Sequence, residues 1–69
     1  MNSKQNMKFA TDSLKEEQEA IDVYNYRIKN CDDKELIDIM KYALREEHVH
    51  HDKFQKWIKK NMKSIKIPK

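Results

Sequence analysis

Apolar residues recur at alternating steps of three and four along the first half of the chain, which is the spacing of one face of a packed α-helix. This first stripe consists of Met7, Ala10, Leu14, Glu17, Ile21, Tyr24 and Ile28. Glu17 is its only charged member, and polar or charged residues fill most of the positions between. The pattern predicts an amphipathic helix over about residues 7–30.

A second stripe with the same spacing follows in the other half of the chain. It consists of Leu36, Met40, Ala43, Glu47, His50, Phe54 and Trp57, with Ile37, Leu44 and Ile58 along its flank. Glu47 and His50 are its polar members. This stripe predicts a second helix over about residues 34–62, followed by a tail over residues 63–69 that frays or docks.

A short polar segment separates the two stripes. Asn30 can end the first helix, and either Asp32 or Asp33 can cap the second. Since a turn over residues 31–33 leaves no room for a crossover, the helices should run antiparallel. We expect an all-α chain, a single helical hairpin that takes up residues 1–69 as one domain.

Composition makes a lone hairpin an incomplete fold. The chain has 69 residues, no Gly, one Pro and 39% charged residues. A domain of this size buries only about 60% of the surface of its unfolded chain and is marginal without a metal, disulfides or a partner. Some extra source of stability is therefore expected, and our prediction for the fold is that the hairpin dimerises into a four-helix bundle.

Cysteine content and hydropathy set the expected compartment. Cys31 is the only cysteine, so neither an internal disulfide nor a paired-cysteine metal site can form. The N-terminal residues lack the apolar run of a signal peptide, and no stretch is apolar enough to span a membrane. We expect a soluble cytoplasmic protein with no membrane partner.

Lysines are frequent toward the C-terminus and give the chain a net charge of +3. Lysines on the outer face and in the last turns of a helix also improve solubility and complement the helix dipole. Nucleic-acid binding is accordingly the less favoured interpretation of this charge.

Three ionisable residues interrupt the two apolar stripes. A carboxylate buried among apolar side chains costs several kcal/mol unless a partner compensates it, and a bound metal would do so. In di-metal helix bundles one helix supplies a Glu and another a Glu-x-x-His pair, and Glu17, Glu47 and His50 match those parts. Counted from the turn, these three residues come level across the hairpin.

A two-fold dimer of such hairpins would bring four carboxylates and two imidazoles together. Carboxylate and imidazole ligands without a thiolate suit iron or manganese and argue against a closed structural zinc site. Glu-x-x-His also arises by chance in so charged a helix, and buried polar residues that hydrogen-bond without metal remain the alternative. His51 could support the site or act as an alternative ligand, although a helix-surface histidine is the favoured interpretation, and the pattern assigns no role to Cys31.

Segments around these residues resemble the encapsulated ferritin family. They are EEQEAIDVY at residues 16–24, DKEL at residues 33–36 and EEHVH at residues 46–50. The more distant rubrerythrins share the glutamate, alanine and tyrosine pattern. The resemblance implies a two-helix protomer that pairs into a ferritin-like bundle, binds two irons at the dimer interface and oxidises ferrous iron with dioxygen.

The resemblance also assigns residues and partners. It implies that Glu17, Glu47 and His50 bind the iron and that Tyr24 lies near it. Glu16 and Glu19 match acidic positions that gather metal on its way in. Family members assemble further into rings inside an encapsulin nanocompartment.

This chain departs from the family at two places. Val23 stands where relatives carry a tryptophan beside the iron site. The C-terminal MKSIKIPK differs from the extension that directs such ferritins into a capsid shell.

The function expected from the sequence is a ferroxidase for iron storage or detoxification. The alternatives are a non-catalytic metal-binding protein, a structural helical dimer and a rubrerythrin-like peroxide-reducing protein.

Overall fold

The computed structural model describes residues 3–64, which form two long helices. Helix α1 spans Ser3–Asn30 and helix α2 spans Lys34–Ser64. The two pack side by side, so the expected all-α antiparallel hairpin is confirmed. Helix α1 begins earlier than the apolar stripe indicated, because no Gly or Pro in its first turns interrupts it. The last part of the expected tail, residues 65–69, lies outside the described residues.

Side-chain hydrogen bonds at the turn end one helix and begin the next. The Asn30 side-chain amide donates to the Tyr26 carbonyl at 2.8 Å and so satisfies an acceptor of the last turn of α1. The Asp33 carboxylate accepts from the Leu36 backbone N–H at 2.9 Å. The Asp33 carbonyl accepts from the Ile37 N–H at the same distance. Of the two aspartates expected to compete, Asp33 is therefore the N-cap of α2.

The contact between the helices contains few buried side chains, namely Ala10, Ile21, Met40 and Ile58. The face of α2 that packs against α1 lies closer to the flank of the predicted stripe than to its centre. Ile58 is buried, whereas Leu36 and Trp57 are 47% and 38% exposed. The apolar stripe of α2 is wider than one neighbouring helix can cover, so its other edge remains in solvent.

The hairpin is one layer thick. Its principal extents are 51 × 26 × 14 Å, and its accessible surface is 6054 Å². A compact protein of this mass exposes about 4,600 Å². The hairpin therefore exposes about 1,400 Å² more surface than a compact protein of the same mass. No helix within residues 3–64 is both long enough and apolar enough to cross a membrane. A single layer leaves large apolar side chains uncovered, among them Phe9, Ile39 and Tyr42.

The N-cap generates a stability prediction. Asp33→Ala removes the acceptor of the Leu36 N–H and should lower the free energy of unfolding by about 1 kcal/mol. Urea unfolding at fixed protein concentration measures the change. Asp32→Ala removes the same charge one residue earlier without removing the cap, so it should cost less than half as much. Equal losses in both variants would contradict the assignment of the cap.

Candidate metal site

Three ligand-type side chains converge midway along the hairpin. Glu17 extends from α1, while Glu47 and His50 lie one helical turn apart on α2. The Nδ1 of His50 donates to Oε1 of Glu17 at 3.2 Å and lies 3.4 Å from Oε1 of Glu47. One ligand atom from each residue falls within 4.8 Å of the other two. We call these three residues the ligand triad.

The spacing of these atoms fits the coordination of a metal ion. Nitrogen and oxygen ligands lie about 2.1 Å from a first-row metal, so neighbouring ligand atoms are about 3.0 Å apart at right angles and about 3.4 Å apart in a tetrahedron. The two His50 distances, 3.2 and 3.4 Å, fall in that range. An ion could therefore be held by His50 together with either carboxylate, and the three ligand atoms lie within 4.8 Å of one another. Such an ion would require His50 to carry its proton on Nε2 and leave Nδ1 free.

The ligand triad is recessed on the carboxylate side and open on the imidazole side. The side chains of Glu17 and Glu47 are 21% and 22% exposed, whereas that of His50 is 49% exposed. The carboxylates thus lie between the helices, and the imidazole lies on the broad surface of the hairpin. A metal ion held by these three side chains would have coordination positions left for other ligands on that surface.

The surroundings of Glu47 in the ligand triad raise the pKa of its carboxyl group. Partial burial raises the pKa of its carboxyl above the ordinary value of 4.5, and the nearby Glu17 carboxylate raises this pKa further. His50 acts in the opposite direction on the pKa of Glu47 but does not cancel the rise. A cation bound between the carboxylates would remove their repulsion.

The other residues singled out from the sequence lie outside the ligand triad. Tyr24 is half-buried, and the Arg27 guanidinium lies 5.8 Å from the centre of its ring. Among residues 3–64, the Tyr24 hydroxyl makes no hydrogen bond to a triad member. Glu16 and Glu19 are exposed on α1.

Two further residues have settings that the sequence did not predict. His51 is half-buried beside the ligand triad but does not join it. Cys31 is a half-buried free thiol whose Sγ donates to the Asp33 carbonyl at 3.7 Å. In the part of the chain that the structure describes, the three residues predicted from spacing are the only group placed to hold a metal. The apolar pattern placed His50 in the centre of the stripe and so predicted that it is buried. In the structure His50 is exposed.

Comparison with known proteins places the chain in a family. A search of curated proteins and a search of solved structures each gave no match. A model of the EncFtn-like family matches residues 1–67, a range that contains both helices, the turn and the ligand triad. The resemblance to encapsulated ferritins is thereby confirmed, and the chain belongs to the EncFtn-like family.

Proposed function

We propose that this protein oxidises ferrous to ferric iron with dioxygen at a di-iron site formed across a homodimer, in the service of iron storage or detoxification. The convergence of the ligand triad at metal-ligand spacing is the observation that carries the proposal. Membership of the EncFtn-like family supports iron as the metal. Manganese is the alternative that the same carboxylate and imidazole ligands accept.

The proposed site needs two copies of the chain. One hairpin offers two carboxylates and one imidazole, which is too few for two metal ions. A two-fold dimer doubles this set to four carboxylates and two imidazoles, the ligand number of di-iron helix bundles. The open side of the ligand triad at His50 is the side from which a second copy could complete it.

Each residue of the ligand triad has a distinct task in this proposal. Glu17 and Glu47 neutralise the positive charge of the ions and can bridge them, and His50 supplies a neutral nitrogen ligand. Ferrous iron is the substrate: each ion gives up one electron, and dioxygen takes up electrons and protons. Because the pKa of Glu47 is raised, iron competes at this carboxylate with a proton that is held more tightly than on a solvated group, so iron binding should weaken as the pH falls.

Storage of the product requires more than a dimer. A four-helix bundle has no cavity for a mineral, so ferric iron would pass to a larger container. The family suggests assembly into rings and an encapsulin shell. We propose the cytoplasm as the location and leave the shell as a partner to be tested by co-expression.

Anaerobic loading with ferrous iron followed by air tests the proposed reaction. We expect about two irons per dimer, rapid ferric absorbance and dioxygen uptake in proportion to the iron added. Light scattering before and after loading reports the mass of the assembly. Tight binding without dioxygen uptake would instead indicate a metal carrier, and no binding would overturn the proposal.

Substitution of a single ligand tests the assignment of the site. Glu47→Ala should lower the rate of iron oxidation at least about 100-fold, because even residues that only support a ligand contribute about 10- to 100-fold. The matched control is Glu46→Ala, which removes the same charge one position away, outside the ligand triad. We expect its rate to stay close to that of the unchanged protein. Similar losses in both variants would show that charge, and not position, matters.

The raised pKa of Glu47 predicts how the metal-free protein responds to pH. Between the ordinary value of 4.5 and the raised pKa, the folded chain holds more protons than the unfolded chain. The free energy of unfolding should therefore fall as pH rises through that window. Glu47→Gln should remove this part of the pH dependence in thermal unfolding with chelator present. Glu46→Gln should retain it, and an unchanged slope in Glu47→Gln would refute the electrostatic account.

A further inference from the structure

Charge is distributed unevenly along the hairpin. We call residues 3–15 and 50–64, which reach from the ligand triad to the free ends of the helices, the open half, and residues 16–49 the turn half. The open half contains eight lysines and two aspartates, which give it a net charge of +6. The turn half contains five basic and ten acidic residues, which give it a net charge of −5. The net charge of +3 for the chain therefore conceals one strongly basic end.

The two aspartates of the open half leave most of its positive charge uncompensated. Lys8 Nζ lies 2.7 Å from Oδ2 of Asp12, and Lys56 Nζ lies 3.0 Å from Oδ2 of Asp52. Each carboxylate is thus paired with one lysine, and all four side chains are exposed. Exposed ion pairs of this kind are weak, so either lysine can exchange its carboxylate for another anion.

Lys53, Lys56 and Lys60 line one edge of α2. They follow one another at steps of three and four, and all three are exposed. Ile58, which is buried, lies two positions from Lys56 and two from Lys60, and two positions turn a helix by about 200°. The three lysines therefore point away from α1, and we call them the lysine edge. Within residues 3–64, Lys53 and Lys60 have no carboxylate partner.

Helix dipoles do not account for the lysines of the open half. A cation is stabilised only within the last turn of a helix, and Lys53 and Lys56 lie more than one turn before Ser64, where α2 ends. On α1, Lys4 lies in the first turn, where a cation is unfavourable, and that turn contains no acidic residue. Solubility requires surface charge but does not require its concentration in one half of the molecule. An anionic partner of the open half would explain this concentration.

We infer that the lysine edge binds the phosphate backbone of nucleic acid, independently of base sequence. The three lysines extend over about 10 Å of helix length, since each residue adds about 1.5 Å. Duplex DNA carries one negative charge for about every 1.7 Å of its axis, so about six phosphates lie along the same length. A rigid row of exposed cations matches such a regular array better than it matches a single anion. The inference does not rest on the proposed iron chemistry.

A lipid surface fits the lysine edge less well than nucleic acid does. A helix that lies on a membrane inserts its apolar side between the lipids and keeps its lysines near the headgroups. The lysine edge is opposite Ile58, and charged residues occupy positions 52, 53, 56, 59 and 60 around it. Contact through this edge would therefore be electrostatic and would bury little apolar surface, as a phosphate-backbone contact does.

Fluorescence anisotropy of a labelled DNA duplex tests the inference. A duplex of about 30 base pairs is titrated with the full chain at 50 and at 200 mM salt, with chelator present to exclude metal-bridged contacts. Three phosphate contacts predict binding roughly 40-fold weaker at the higher salt, since the logarithm of the binding constant changes with a slope of about −0.9 per contact. The variant Lys53→Gln/Lys56→Gln/Lys60→Gln should bind at least about 10-fold more weakly at 50 mM salt and lose most of this salt dependence.

The matched control removes three exposed lysines of the turn half, namely Lys29→Gln, Lys34→Gln and Lys41→Gln. Position 41 is about 18 Å from position 53 along α2, which exceeds the Debye length of about 10 Å. Duplex binding by the control should therefore stay within about threefold of that by the unchanged chain. Both variants alter only exposed side chains, so each should keep the unfolding temperature and the iron oxidation rate of the unchanged chain.

Three results would overturn the inference. They are no duplex binding at 50 mM salt, equal weakening in both triple variants, and binding to phosphatidylserine vesicles without binding to the duplex. The second would assign the effect to net charge, and the third would identify a lipid surface as the partner. Duplex binding that is lost only when the lysine edge is changed, while iron oxidation continues, would support the inference. Because iron is absent from the binding assay, loss of the ferroxidase proposal would leave this result unaffected.

Discussion

Two helices packed side by side make a single layer, and a single layer cannot bury two apolar edges of the same helix. The contact with α1 covers Met40 and Ile58 of α2 and leaves Leu36 and Trp57 in solvent. The other features of the molecule follow from this limit. The ligand triad forms at the boundary between the covered and uncovered edges, with its carboxylates between the helices and its imidazole outside.

This position gives the ligand triad its chemical character. Burial and the Glu17 carboxylate raise the pKa of Glu47, and a cation bound between the two carboxylates would offset their repulsion. At the same time the imidazole of His50 is exposed on the single hairpin. A fully buried triad would be costly to charge, and a fully exposed one would not concentrate positive ions.

The family match and the geometry support the proposal in different ways. Membership of the EncFtn-like family concerns the whole chain, because the match covers residues 1–67. The distances from His50 to Glu17 and Glu47 concern the atoms that would hold an ion. The family match supports iron as the metal, and the distances support the three side chains as its ligands. The proposed iron chemistry rests on both.

The sequence by itself determined the two helices, their antiparallel pairing and the identity of the triad, because periodicity and a short turn act locally along the chain. The sequence could not decide which aspartate caps α2, because Asp32 and Asp33 have the same side chain. The backbone conformation at the turn places the Asp33 carboxylate against the Leu36 N–H. Nor could the sequence separate the edge of α2 that faces α1 from the edge that faces solvent. Helix crossing and side-chain volume choose between these edges, so only the tertiary structure placed His50 and Trp57 on the open surface.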